Sequence, residues 1–217
     1  MIVTIDGPAG TGKSTVARLL ASRLGFEFLN TGAMYRAVAH VCLQRAVDLA
    51  DADAVGRVPA GLEIVFANNR LILDGLDVTE AIRGQEVTQT ASLVAANEQV
   101  RRRLVELQRA AARGVNLVTE GRDQGTVVFA NAECKFFLTA SPDERARRRQ
   151  RELLDKGDSV SLEELLAQQE VRDERDESRS CSPLKPAADA VVIDTTPMTL
   201  EVVAAHLEEL VRLRMAR

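Results

Sequence analysis

Cysteine, histidine and lysine are all scarce in this chain of 217 residues, and each scarcity removes a class of function. The three cysteines, Cys42, Cys134 and Cys181, stand far apart with no CxxC pair. That spacing argues against a zinc ribbon or a disulfide scaffold and fits a reducing compartment. His40 and His206 have no metal-ligating neighbours in sequence and receive no role, and no Ser/His or Cys/His nucleophile set is evident. No apolar run approaches the roughly 20 residues that span a bilayer. The opening Met1-Ile2-Val3-Thr4-Ile5 lacks the basic stretch and small-residue cleavage site of a secretory signal. The expected location is the cytoplasm, with no membrane partner. Of 28 basic residues only Lys13, Lys135, Lys156 and Lys185 are lysines. A formal charge of −4 argues against a dedicated nucleic-acid binder. It leaves room for local arginine sites, and arginine is the better bidentate grip on phosphate.

What remains is an ordinary globular composition, 46% hydrophobic and 28% charged, in a chain long enough for one well-cored domain with embellishments. Ile2 to Ile5 reads as a buried strand ending at Asp6-Gly7. From Lys13 the period becomes helical through Val16, Leu19, Leu20 and Leu24, with Gly25 as the stop. A strand over Phe26 to Leu29 precedes a helix capped by Thr31. Strand, helix, strand, helix predicts a parallel α/β sheet. The middle breaks this rhythm. Leu62 to Phe66 and Arg70 to Leu73 around Asn68-Asn69 predict a β-hairpin, and therefore an insertion. Helices follow over about Arg83 to Ala95 and Glu98 to Arg113, then strands at Val115 to Thr119, Lys135 to Leu138 and Val191 to Ile193. Charged helices over Asp143 to Asp155 and Leu162 to Glu177 lie between the last two strands. Glu201 to Met215 closes the chain as an amphipathic helix with Val202, Ala205, Leu207 and Leu210 among its apolar residues.

Gly7-Pro8-Ala9-Gly10-Thr11-Gly12-Lys13-Ser14, followed by Thr15, has every element of a phosphate-binding P-loop between a predicted strand and helix. The glycines let successive backbone N–H groups face inward, and the helix N-terminus adds a positive dipole end. Lys13 is placed to reach the β- and γ-phosphates of ATP and Ser14 to hold Mg²⁺. The motif does not say what receives the phosphoryl group. A guanine-reading Asn-Lys-x-Asp is absent, and Leu117-Val118-Thr119-Glu120 matches a Walker-B strand only in part. The small size favours a small-molecule kinase, with a non-catalytic nucleotide-binding module as the alternative from another class.

Two segments bear on the acceptor, Asn30-Thr31-Gly32-Ala33-Met34-Tyr35-Arg36 and Glu120-Gly121-Arg122-Asp123-Gln124-Gly125-Thr126. Both follow predicted strands, and in an open α/β sheet ligands gather beyond the C-terminal ends of strands. With the P-loop and Thr126-Val127-Val128-Phe129, these segments resemble the bacterial cytidylate kinases. So do Arg172-Asp173-Glu174-Arg175-Asp176-Glu177-Ser178-Arg179, Ser182 to Ala190, and Asp77 to Arg83 after the hairpin. The resemblance runs from about Ile2 to Thr195.

The resemblance implies transfer of the γ-phosphate of ATP to CMP or dCMP with Mg²⁺. It also implies a three-layer P-loop fold with a five-stranded parallel sheet, an insert that binds the monophosphate, a short helical lid, and a monomer. The expected division is core over about 1–55, 97–147 and 166–217, insert over about 56–96 and lid over about 148–165. Asp123 matches the residue that accepts from the cytosine N4 amino group, with Thr31 beside it. Uracil would meet Asp123 acceptor against acceptor. Arg101 matches an arginine that reads the acceptor edge of the base. Arg36 and Arg122 match the clamp on the CMP phosphate, and Ser92, Arg172 and Asp176 match residues around the sugar. Arg179 closes the site and Arg175 reaches the transferring phosphoryl, which makes Lys13, Arg122 and Arg175 the expected catalytic group. Spacings of three and four put Arg172, Arg175, Asp176 and Arg179 on one side of a helix.

Each role has a plainer rival. The Arg172 to Arg179 run also suits a solvated helix laced with ion pairs, and Tyr35 suits packing as well as stacking on a base. Arg145, Arg147, Arg148, Arg149 and Arg151 are read as lid, with one or two touching ATP. Arg102 and Arg103 are read as exposed. AMP, UMP or a shikimate-like compound remain alternative acceptors. Asn30 stands where many members carry an acid, and Ala130 where proline is common, so local loop geometry is open at both.

Overall fold

The computed structural model describes residues 1–67, 70–155 and 157–216, so the expected hairpin turn at Asn68-Asn69 lies outside the described residues. The chain forms two compact units, Met1–Glu27 with Val115–Arg217, and Phe28–Gly114.

The five-stranded sheet has the order β2 (Glu27–Asn30), β6 (Leu117–Gly121), β1 (Ile2–Asp6), β7 (Cys134–Thr139), β8 (Val191–Asp194). It is parallel with helices on both sides, the α/β architecture expected. β1 is the central strand of the sheet. Val3 and Ile5 are fully buried, and β1 is paired on both flanks, Ile5 with Glu120 and Phe136 and Asp6 with Gly121 and Phe137. A strand covered on both faces and both edges gives whatever follows its C-terminus a rigid base.

In this first unit α1 (Lys13–Leu24) packs on β6 and on α8 (Leu200–Met215), and α6 (Pro142–Leu154) packs on α7 (Leu162–Glu177). Gly25 ends α1 in the left-handed conformation at φ 66°, as its position implied. α8 is amphipathic as expected and buries one apolar stripe. Val203, Ala204, Leu207 and Val211 are buried, whereas Val202 is half exposed. The run Val202-Val203-Ala204-Ala205 offers two adjacent apolar stripes, and contact with α1 selects between them.

In the second unit β3 (Ile64–Ala67), β4 (Arg70–Leu73) and the two-residue β5 (Leu76–Asp77) form an antiparallel sheet. The hairpin thus has a third strand, made by a tight turn through Asp74 and Gly75, both at positive φ. α2 (Thr31–Gln44) packs on α4 (Gln85–Val94), and α5 (Glu98–Ala111) packs on α3 (Ala52–Arg57). α3 was not expected. Asp51 caps it by accepting from the N–H groups of Asp53 and Ala54. Thr31 is not the cap of α2; Asn30 is, its Oδ1 accepting from Ala33 N at 2.9 Å. Among the described residues, no helix is long and apolar enough to cross a membrane.

Candidate active site

The phosphate loop is made of backbone. Gly7 has φ 144°, and a Cβ added there would lie 2.1 Å from the carbonyl oxygen of Leu138 on β7. Gly10 has φ 81°, and a Cβ there would meet Arg145 Cβ at 2.9 Å. Both positions exclude any side chain, for conformation and for space. Gly12 is the left-handed N-cap of α1, so Lys13, Ser14 and Thr15 begin the helix at its positive end. Thr11 is buried and its Oγ1 donates to Pro8 O at 3.1 Å, which closes the loop on itself. Lys13 is buried and its Nζ donates to Pro8 O at 2.5 Å and Thr11 Oγ1 at 3.4 Å. Burial, then the positive charge of Arg122, hold its ammonium well below the usual lysine range, against the pull of Glu120 and Asp6. An anion brought to this place relieves that strain, so the lysine is poised for phosphate.

Ser14 Oγ donates to Glu120 Oε1 at 3.0 Å, and Glu120 is buried on β6, the strand next to β1. Sequence reasoning passed over Glu120 because the Leu117-Val118-Thr119 run ends in one acid rather than two. The signal was there: an acid at the C-terminal end of a buried strand. Hydroxyl and carboxylate side by side are the hard oxygen donors that suit Mg²⁺. Among the described residues no group of three or more His, Cys, Asp or Glu forms a metal cluster, so these two oxygens fit an ion whose other ligands are phosphate and water.

Arg122 and Asp123 follow β6 directly. Arg122 Nε donates to Asp176 Oδ2 at 2.8 Å and Nη1 to Gly121 O at 3.2 Å. Asp176 is 1% exposed and also pairs with Arg179. Its burial works to raise the carboxyl pKa, but Arg122, Arg179 and Arg172 outweigh it and hold Asp176 below the usual carboxylate range. For Arg122 burial opposes the charge, and Asp176 and Glu120 more than offset it. In the Arg172–Arg179 segment the Asp176 carboxylate and the Arg179 side chain are therefore a buried pair, with Arg172, Asp173 and Arg175 half-buried and Glu174, Glu177 and Ser178 exposed. α7 ends at Glu177 with Ser178 as its C-cap, so Arg172, Arg175 and Asp176 are helical while Arg179 lies beyond the helix end. The single helical side expected for all four stops short of Arg179, which still reaches back to Asp176.

Asp123 is buried and starts a π-type turn over Gln124–Val128, its carbonyl accepting from Val127 N at 2.9 Å and Val128 N at 3.1 Å. Asp6, also missed, stands behind this turn. It is buried, and burial pushes its carboxyl up to about 7 against the backbone N–H groups of Gly125 and Gln124 that bond to it.

The lid arginines separate by partner. Arg145 is buried, donating to Ala9 O at 3.1 Å and pairing with Asp173 at 2.6 Å. Arg148 pairs with Glu144 at 2.9 Å and donates to Thr195 Oγ1 and O at 3.1 and 2.6 Å. Arg149 pairs with Glu152 and Arg151 with Glu144, both nearer the surface, and Arg147 is exposed.

The other expected residues belong to the second unit. Thr31 is buried in the first turn of α2, Arg36 is half-buried further along it, and Ser92 is buried on α4. Arg101 is buried on α5, donates to Ala95 O at 3.2 Å and lies 5.6 Å from the ring centre of Tyr35. Tyr35 is thus packed, as the plainer reading had it. Arg102 is exposed as expected, whereas Arg103 is half-buried. A groove of about 560 Å³ in this unit, walled by Gly56, Pro59, Asn97 and Gln99, contains none of the expected site residues.

Comparisons with known proteins point to one family. A family model described as cytidylate kinase matches residues 3–213. A cytidylate kinase from Rhodopirellula baltica is 47% identical over 98% of this chain and 93% of its own length. One from Pelotomaculum thermopropionicum is 52% identical over 92% of this chain and 90% of its own. In fold, a solved structure of an uncharacterised protein from Eubacterium ventriosum aligns with a TM-score of 0.53 at 12% identity, covering 100% of this chain and 99% of that one.

Proposed function

The chain belongs to the cytidylate kinase family and transfers the γ-phosphate of ATP to CMP or dCMP, and from that premise we propose how its residues divide the work. The observation that carries the reading is the first unit's buried P-loop lysine beside the Ser14–Glu120 hydrogen bond, together with the Arg122–Asp176–Arg179 cluster.

Gly7 to Thr15 hold the triphosphate of ATP through backbone N–H groups and the helix dipole. Lys13 leaves Pro8 O for the β- and γ-phosphates. Ser14 and Glu120 would hold Mg²⁺, which would supply neutralisation of the phosphate charge. Arg36 and Arg122 grip the phosphate of CMP, and Asp176 keeps Arg122 charged and aimed through Nε. Asp123 and Thr31 read cytosine at N4 and Arg101 reads its acceptor edge, while Ser92, Arg172 and Asp176 hold the sugar. Arg175 and Arg179 stabilise charge on the moving phosphoryl and close the site. The nucleophile is an oxygen of the CMP phosphate, already anionic, so transfer is in line and needs no general base.

In domain terms the core over about 1–55, 97–147 and 166–217 carries catalysis, the insert over about 56–96 serves the monophosphate, and the lid over about 148–165 excludes water. The enzyme acts as a monomer in the cytoplasm, in pyrimidine nucleotide metabolism. A coupled assay over CMP, dCMP, UMP, AMP and shikimate tests the acceptor. CMP and dCMP are expected to turn over fastest. AMP turned over better than CMP would overturn the base assignment, and ATP binding without transfer to any of the five would favour a non-catalytic module.

A further inference from the structure

Asp6 occupies an unusual place for a carboxylate. It is the last residue of the central strand, 4% exposed, and the residue before the phosphate loop begins. Both of its oxygens accept from backbone N–H groups. Oδ1 accepts from Gln124 N–H at 2.9 Å and Oδ2 from Gly125 N–H at 2.7 Å. Both donors are backbone, and both lie in the turn that follows Asp123.

The first two N–H groups of that turn are the ones Asp6 takes. In a π-type turn the first N–H groups have no partner within the turn, as at any helix N-terminus. Two consecutive donors aimed at one carboxylate satisfy both, and fix the chain direction just after Asp123. The fit is close. A Cβ added at Gly125 would lie 2.9 Å from Thr4 Oγ1, 3.3 Å from Lys135 Cδ and 3.4 Å from Asp6 Oδ2. On the side chain of Gln124, Oε1 accepts from Thr119 Oγ1 at 3.0 Å, a buried contact that orients the same residue.

We propose that Asp6 is a positioning residue for the acceptor nucleotide, gripping the Arg122–Gly125 loop against the strand that carries the phosphate loop. The two ends of this grip are unequally stiff. Asp6 sits in β1, hydrogen-bonded to β6 and β7 on both sides at this level. The loop after Gly121 has left the sheet. When the grip weakens the loop moves and the strand does not, so the acceptor side suffers and ATP binding is spared. Lys13 and Asp123 are the charged groups that act on Asp6 from the neighbouring segments, and neither replaces its two bonds to the backbone.

The proposal rests on the reading that Asp123 recognises cytosine, and the experiment separates the two. Asp6→Asn keeps the shape but turns one acceptor into a donor facing an N–H. Its KM for CMP is expected to rise about tenfold while KM for ATP and kcat stay within about threefold, the loss of one charge-assisted hydrogen bond. The ratio of CMP to UMP turnover is expected to fall with it. Asp123→Ala is measured alongside. If Asp123→Ala leaves that ratio unchanged, the base assignment is wrong. If Asp123→Ala lowers it and Asp6→Asn does not, or if Asp6→Asn raises both KM values equally, the positioning role is wrong. Should Asp6→Asn fail to fold, Gly125→Ala asks the same question from the loop side, by crowding Thr4 and Asp6. The same selective rise in KM for CMP is expected, and an equal rise for ATP overturns the proposal.

Discussion

The phosphate loop and the cluster around Asp176 lie in one unit and serve one reaction, yet they are held in opposite ways. The loop is fixed by what its residues lack. Gly7 and Gly10 bring backbone so close to Leu138 and Arg145 that no Cβ fits, and the binding groups are N–H dipoles. The cluster is fixed by what its residues carry: Arg172 on α7, Arg179 just past it and Arg122 after β6 converge in charge on a single carboxylate 1% exposed to solvent. The backbone site pays little for standing empty, because its one misfit is the strained Lys13 ammonium. The side-chain site must keep its charges balanced at all times, since a buried arginine without a partner costs several kcal/mol.

This contrast predicts that the two sites fail differently. Lys13→Ala is expected to lower turnover about a thousandfold, on the scale of a lost transition-state donor. It is not expected to lower the urea midpoint of unfolding, because burial and Arg122 already disfavour the ammonium in the folded protein. A Lys13→Ala enzyme that lost stability in proportion to activity would show that the loop, too, depends on charge balance.

Asp176→Asn should do the reverse first. With Arg122 and Arg179 left short of a counter-charge, the folded state is expected to lose about 2–4 kcal/mol in urea unfolding at neutral pH. The pH dependence has a definite sign. The folded Asp176 carboxyl titrates below its ordinary value of 3.8, so its stabilisation is present above that value and is lost as pH falls through it toward the folded pKa. The gap between the native enzyme and Asp176→Asn is therefore expected to close under acid. A gap that stays constant down to pH 3 would mean that packing, and not charge, holds the cluster.

The same contrast explains which parts could be read in advance. A backbone site needs glycines at fixed offsets, and Gly7, Gly10 and Gly12 stand there in plain sequence between a β-branched run and a helical one. The cluster has no such grammar. Arg172 to Arg179 could equally have been a solvated helix, and only resemblance chose between the two. What neither route found depends on contacts far apart in the chain. Glu120 became significant when β6 was laid beside β1, bringing it to Ser14. The π-type turn at Gln124 exists because Asp6, 118 residues away, accepts from its first N–H. α3 went unseen because Ala50 to Ala54 has no apolar period, and only the Asp51 cap marks it. Which stripe of α8 is buried was equally out of reach, because two apolar stripes stand side by side and contact with α1 decides between them.

Asn30 gives the smallest effect and the finest test of the contrast, since it is a side chain whose task is to complete a backbone. It stands where related sequences often carry an acid, directly before Thr31. Its Oδ1 caps α2 through Ala33 N–H, a bond that Asp can make equally well and Ala cannot make at all. Asn30→Ala is therefore expected to cost about 1 kcal/mol, read by urea unfolding. Asn30→Asp is expected to be neutral or to gain about 0.3–1 kcal/mol, because a negative charge at a helix N-terminus meets the dipole favourably. In both variants KM for ATP should stay unchanged. A loss of CMP affinity confined to Asn30→Ala would mean that the cap also sets the angle at which Thr31 meets the base. A loss in Asn30→Asp as well, with stability intact, would mean that the charge itself is felt at the acceptor site, and that Asn30 is there to keep it away.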